Sequence, residues 1–252
     1  MSLVRRLRLG VESMPEKARY ATVHRIRFRE VTTPEMLELS GNPAGALSWK
    51  IGSSGPVGPN GYRLPGNVWC AVGLYSELDA AQTALQTKDQ FMSFLTDAIE
   101  SWHALLLPIM HRGECNHLDR TQPGTLFEVD QNDPGGPCMV ITTAGFEGGP
   151  ELKIERVIDF RRNVDMTNEW MAKTDGCLAS QVFTPHTVGD DGFTMSIWRD
   201  DACMLKAAYH PGIHRSQLDQ HKKENAFDRS SFTRFRVMDT CGQWNGRDPV
   251  RM

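Results

Sequence analysis

The sequence predicts an α+β protein made of two ferredoxin-like repeats that pair into an α+β barrel. Three observations carry that expectation. The 252-residue chain is weakly self-similar: Phe28 and Arg29 of "RIRFR" match Phe160 and Arg161 of "VIDFR", and Ser48 of "ALSWKIG" matches Ser180 of "LASQVFT", both at an offset of 132 residues. "VWCAVGLYSELDAAQTAL" from Val68 and "FTMSIWRDDACMLKAAY" from Phe193 share one plan, an apolar strand, an acidic cap and an amphipathic helix. Between the copies, Leu118 to Cys138 is rich in Pro, Gly, Asp and Asn and predicts a linker. Each copy then follows the order strand, helix, strand, strand, helix, strand, which is the split βαβ plan.

In chain order, residues 1–20 form an N-terminal extension, 21–117 the first repeat, 118–137 the linker and 138–252 the second repeat. The opening "MSLVRRLRLG" is basic but too short of apolar residues for a signal peptide. It predicts a solvated terminus, or one that touches an anionic surface through Arg5, Arg6 and Arg8. In the first repeat the patterning predicts helices at Pro34–Leu39, Leu78–Leu85 and Gln90–Ala104, and a strand at Arg25–Arg29. "GSSGPVGPNG" from Gly52 lacks the Gly-Lys-Ser/Thr ending of a phosphate-binding loop, so it is a pocket rim or a hairpin connection. The second repeat carries the matching strands at Val157–Arg161, Leu178–Thr184 and Phe193–Trp198, and "TCGQWN" near its end answers "HRGECN". Paired sheets place apolar faces in the middle of such a barrel, where side chains or a flat hydrophobic ligand fill the space.

Composition narrows the function. Lys and Arg number 28 against 31 Asp and Glu, a net charge of −3, which is no footprint for nucleic acid. The six cysteines include no C-x-x-C pair, which argues against a zinc ribbon or redox dithiol and favours reduced thiols in a cytoplasm. No run approaches the ~18 apolar residues of a transmembrane helix.

"AYHPGIHRSQLDQH", Ala208 to His221, holds three of the eight histidines. Pro211 suits the first position of a helix. On that helix His214 and His221 share a face but lie ~10 Å apart at ~1.5 Å per residue, too far for one small ion. His210 has the i, i+4 spacing to His214, yet Pro211-Gly212 opposes regular helix at His210. What remains is a single axial metal ligand at His214, or a set of solvated helix histidines.

Three phrases carry a family resemblance: "LSWKIGSSGPVGPNGYRLPGNVWCAVGLY" from Leu47, "MSIWRDDACMLKAAYHPGIHR" from Met195 and "FTRFRVMDTCGQWNGRDP" from Phe232. Over Thr22 to Pro249 the chain resembles the spheroidene monooxygenase family, bacterial carotenoid-modifying oxygenases. The resemblance implies a haem-dependent oxygenase on a dimeric α+β barrel type of scaffold, one also used by chlorite dismutases and aldoxime dehydratases. It implies haem b against the sheet of the C-terminal copy with one histidine on the iron. On the family's His-Arg motif that ligand is His214, with His210 as a cap or orienting neighbour. Arg215 and Lys50 are candidate cations for the haem propionates, and His103 and Arg199 candidate distal catalytic groups. Arg199 fits an exposed ion pair with Asp200 or Asp201 as well, and Trp198 and Trp244 fit packing roles. The implied reaction inserts oxygen into a mostly apolar small molecule, carotenoid or other metabolite, with an external electron donor or peroxide. Aldoxime dehydration on the same haem is the alternative, and a cofactor-free binding protein the third, since fold does not fix function. The two copies leave a monomer and a homodimer both open.

Overall fold

Every strand is hydrogen-bonded on both sides, because the sheet closes into an antiparallel barrel in the order β1-β3-β2-β6-β7-β5-β8-β4. The computed structural model describes residues 17–37, 43–59, 61, 63–114, 127–147, 153–185, 191–209 and 226–251. The first half supplies β1 (Tyr20–Phe28), β2 (Ala46–Ser53), β3 (Val68–Tyr75) and β4 (Ala98–Gly113), with α1 (Leu78–Gln86) and α2 (Lys88–Phe91) between β3 and β4. The second supplies β5 (Cys138–Gly145), α3 (Ile154–Ala172), β6 (Cys177–Pro185), β7 (Gly192–Trp198), α4 (Asp201–Tyr209) and β8 (Arg229–Gly242). Each half contributes its four strands in the same spatial order, fourth, first, third, second. The seams are a long β4–β8 ladder and a short β2–β6 contact at Gly52↔Pro185 and Ser53↔Thr184.

Alternation along the strands sorts side chains between the inside and the outside of the barrel. Ala21 and Val23 of β1, Met139 and Ile141 of β5, Met195 and Ile197 of β7, and Phe235 of β8 belong to one buried cluster with Trp102 and Phe183. Of the two expectations for the interior, side chains and a flat ligand, it is side chains that fill it. Outside the first half, α1, α2 and the turns around them bury Trp49, Trp69, Phe94, Tyr75 and Leu85 against the other sheet face.

Three expected elements are corrected. Gln90–Ala104 is not a helix: it runs through α2 and a 3-10 turn at Ser93–Asp97 into β4. Alternation wins there, with Trp102, Ala104 and Leu106 in the barrel core and His103 and Leu105 on the other face. Val157–Arg161 is not a strand but lies in α3, a 19-residue helix free of Gly and Pro. The 132-residue offset thus matches a strand with a helix at Phe28 and Phe160, although Ser48 and Ser180 do lie on corresponding strands, β2 and β6. Short apolar runs such as "VIDF" do not distinguish the two. The expected helix at Leu78–Leu85 is α1, while the described part of that at Pro34–Leu39 is a 3-10 turn over Pro34–Leu37, residues 38 and 39 lying outside the described residues.

The β4–β8 seam ends the same way on both sides. Gly113 closes β4 at φ +84° and Gly242 closes β8 at φ +87°. A Cβ would stand 2.2 Å from the Ser230 carbonyl oxygen at Gly113, and 2.1 Å from that of Ser101 at Gly242. Gly113→Ala and Gly242→Ala are each expected to cost about 1–3 kcal/mol from strain and clash. Denaturant titration reads the cost, and an unchanged midpoint for either would contradict it. The five described cysteines are free thiols, and no described helix is long and apolar enough to cross a membrane.

Candidate functional site

The second half has a hollow where the first is solid. A cavity of about 710 Å³ lies between the outer face of the β5–β8 sheet and the helices α3 and α4. Its cause is local. Positions that face outward from the sheet carry short side chains, Thr142, Ala144, Ser180, Thr194, Ser196 and Ser230, which leave space beneath the helices, with Ser180 tied to Asn168 of α3. The corresponding face of the first half carries Trp49, Trp69 and Tyr75 and is filled. Large apolar groups complete the cavity wall, among them Val140, Phe160, Met171, Trp198, Met204 and Phe232. This is the size and polarity of a small-molecule site, apolar with a few placed polar groups.

The polar groups are specific. Ser196 Oγ accepts from Trp198 Nε1 at 2.9 Å, which leaves the serine hydroxyl hydrogen for another acceptor. Arg156 and the exposed Arg112 supply cations at the edge. Arg156 is held by Asp228 at 2.8 Å and lies 5.5 Å over the Phe146 ring. The loop after β2 braces α3 from the other half: Arg63 is paired with Asp165 and also donates to the Gly55 carbonyl at 2.8 Å. "GSSGPVGPNG" is therefore a hairpin connection whose far side holds the helix wall of the cavity.

Of the histidines singled out from the sequence, His103 lies among the described residues. His103 is buried outside the first half of the barrel and does not line the cavity. Its Nδ1 lies 3.0 Å from Nδ1 of His24, and the pair is closed by Thr22 on His24 Nε2 and Ser101 on His103 Nε2. Burial, with the nearby Lys88 charge, pushes the His103 imidazole down to about 3. His24 is also held well below its ordinary value, by burial first and then by His103 and Lys88. These are neutral rings in a packed layer beside Trp49, a structural arrangement on the half of the barrel away from the cavity. Arg199 likewise lies outside the cavity: it is half exposed, paired with Asp175 and Asp200, and hydrogen-bonded to Cys203 Sγ at 2.9 Å. Lys50 on β2 is paired with Val72, whose face of the sheet it shares, and does not line the cavity either. His210, His214 and Arg215 lie outside the described residues. The chain leaves the described structure at Tyr209 and re-enters it at Ala226, and both line the cavity. None of the described histidines does.

Sequence reasoning missed the cavity itself. The signal was present: short side chains at alternate positions, Thr142 and Ala144 on β5 and Thr194 and Ser196 on β7.

No family model matches the chain, and no curated protein does. Among solved structures, aldoxime dehydratase superposes at TM-score 0.58 with 10% identity, over 87% of this chain and 81% of that one. An aldoxime dehydratase in complex with butyraldoxime superposes at 0.55, again at 10% identity, over 87% and 79%. The chain shares the aldoxime dehydratase fold. A candidate monooxygenase from Fusobacterium nucleatum subsp. nucleatum follows at TM-score 0.39 and 12% identity, over 89% and 94%.

Proposed function

We propose that the chain is a haem-dependent enzyme that oxidises a mostly apolar small molecule, with haem b in the cavity of the second half and His214 on the iron. This reading takes residues 21–117 and 138–252 as two ferredoxin-like units joined by a linker. The observation that carries it is the cavity between α3, α4 and the sheet, whose wall includes the residues on both sides of the segment bearing His210, His214 and Arg215. The cavity suits the group. Its broad walls are apolar, and Arg112 and Arg156 provide guanidinium groups for carboxylates at its edge. None of the described histidines is on the wall, and the motif resemblance names His214 as the residue that would hold the iron.

Bound haem would supply an iron centre able to take O2, peroxide or a substrate nitrogen. The remaining work falls to the chain. Phe160, Trp198 and Phe232 exclude water from the bound molecule, while Thr194, Ser196 and Asn163 offer the hydrogen bonds that orient it. These groups take the place proposed from sequence for His103 and Arg199.

The likeness to aldoxime dehydratase favours a second reaction on the same site, loss of water from an aldoxime, in which a hydroxyl or amide on the wall hydrogen-bonds the departing oxygen. Anaerobic turnover of an aldoxime by the reduced protein would select it, and a strict need for O2 or peroxide would select oxygenation.

The test is the absorption spectrum of the purified protein and of His214→Ala, both produced with haem precursor. The wild type is expected to show a Soret band that the variant loses or displaces. Absence of the band in wild type after added hemin would overturn the haem reading.

A further inference from the structure

Beside the cavity lies a second, polar cleft of about 410 Å³ at one end of the barrel. Arg25, Arg27, Asn67, Gln181, Trp244 and Asn245 line it, so the "GQWNG" tail builds one wall. Arg25 is fixed there, its side chain only 3% exposed. Its Nε donates to Gln181 Oε1 at 3.0 Å, its Nη1 to Glu100 Oε1 at 2.8 Å, and its guanidinium lies 4.8 Å over the Trp244 ring. No described residue accepts from its Nη2.

Arg27, two residues along the same strand face, gives Nη2 to Glu100 Oε2 at 3.3 Å. Its Nε is buried with no hydrogen-bond partner among the described residues. Glu100 is already saturated, accepting from both arginines and from the Gly246 N–H at 2.9 Å. Asp165, also on the wall, is taken by Arg63. Arg25, Arg27 and Arg63 thus share two committed carboxylates, and Arg25 Nη2 and Arg27 Nε are left without an acceptor among the described residues. One buried donor left unmade, Arg27 Nε, and the excess of guanidinium over carboxylate groups suit the cleft to an anion.

The cleft and the cavity share two wall residues, Asn168 and Ser180, which are hydrogen-bonded to each other. This pair of side chains borders both the apolar chamber and the cationic one. We propose that the cleft is a carboxylate site, and that it receives the head group of an amphipathic acid whose apolar body lies in the cavity. The role of the cavity rests on the function proposed above; the carboxylate site does not. The carboxylate can belong to a substrate or to the haem itself, and guanidinium recognition is the same for both.

Titration calorimetry of the full chain, prepared without haem, compares dodecanoate with dodecanol. Dodecanoate is expected to bind at least about tenfold more tightly, the scale of one charge-assisted hydrogen bond. Arg25→Gln and Arg27→Gln should each remove most of that preference while leaving dodecanol affinity unchanged. Arg25→Gln strips a buried partner from Glu100, so Arg27→Gln, on a side chain 36% exposed, carries the result if the first variant does not fold. Equal or unmeasurable affinities in the wild type, or a preference that survives both substitutions, would overturn the proposal. Repeating the comparison with hemin bound, and with hemin dimethyl ester bound, assigns the source. A preference that persists with hemin belongs to a substrate, and one abolished by hemin but kept with the ester belongs to the cofactor. If hemin does not bind at all, the haem reading fails while the haem-free comparison still decides the carboxylate site.

Discussion

Arg236→Met is expected to lower stability by about 3 kcal/mol, at the low end of what removing one partner of a buried ion pair costs. Arg236 is 1% exposed and sits under the start of α4. Its Nε donates to Asp133 Oδ1 at 2.6 Å, its Nη1 to the Gly136 carbonyl at 2.5 Å, and its Nη2 to Asp133 Oδ2 at 2.5 Å and Asp201 Oδ2 at 2.7 Å. One side chain therefore ties the linker to β8 and β8 to α4. Burial opposes its charge, but the two aspartates overcome that and push the guanidinium pKa up. Both aspartates are about one third exposed and rehydrate when the arginine is gone, which keeps the cost from the upper end. For a chain of this size the melting temperature should fall by about 6–12 °C. Arg236→Lys should recover little of it, because an ammonium group cannot make the two-pronged contact with Asp133. A melt within about 2 °C of wild type would show the cluster to be ornamental.

The His24–His103 pair should make the protein acid-sensitive over a defined window. With both rings neutral the four groups form one directed chain, Thr22, His24, His103, Ser101, in which each hydrogen bond has one donor and one acceptor. A first added proton must be accommodated in a layer that excludes water, and a second sets two Nδ1–H donors head to head. The unfolded chain titrates near 6.5, while both folded values lie lower, that of His103 at about 3. As pH falls below 6.5 the unfolded state takes up protons that the folded state refuses. Stability due to these groups is thus full above 6.5, declines as pH falls, and levels off below the folded values. The slope is about 1.4 kcal/mol per pH unit for each histidine. Urea titrations at pH 7.5, 5.5 and 4.5 should show it, and the H24Q/H103N double variant should flatten it. Parallel pH dependence of wild type and variant would remove the pair as its source.

Much of the barrel was readable from residue order. The strand-then-helix plan at Val68 and Phe193 is β3–α1 and β7–α4. What misled was length. "VIDF" inside α3 and the apolar residues of Gln90–Ala104 each fit both periods over a short window, and long-range pairing of β4 with β1 and β8 settled the second. The site was less legible for a related reason. His103 and Arg199 have the right chemistry for a distal pocket, but strand alternation places His103 beside His24, and α4 capping draws Arg199 to Asp200. The cavity arises from side chains that are small, and motif reasoning looks for those that are reactive.

The contrast between a packed face and a hollow one has a consequence for how such a chain can change over generations. Trp49, Trp69 and Tyr75 hold one side of the barrel at close-packed density, where a single added or lost methylene is felt. Across the same barrel, Thr142, Thr194 and Ser196 border space, so substitutions there alter the shape offered to a guest molecule with little effect on folding. A lineage carrying this architecture can drift in what it accepts while inheriting an unchanged frame, and selection acts on the two faces almost separately.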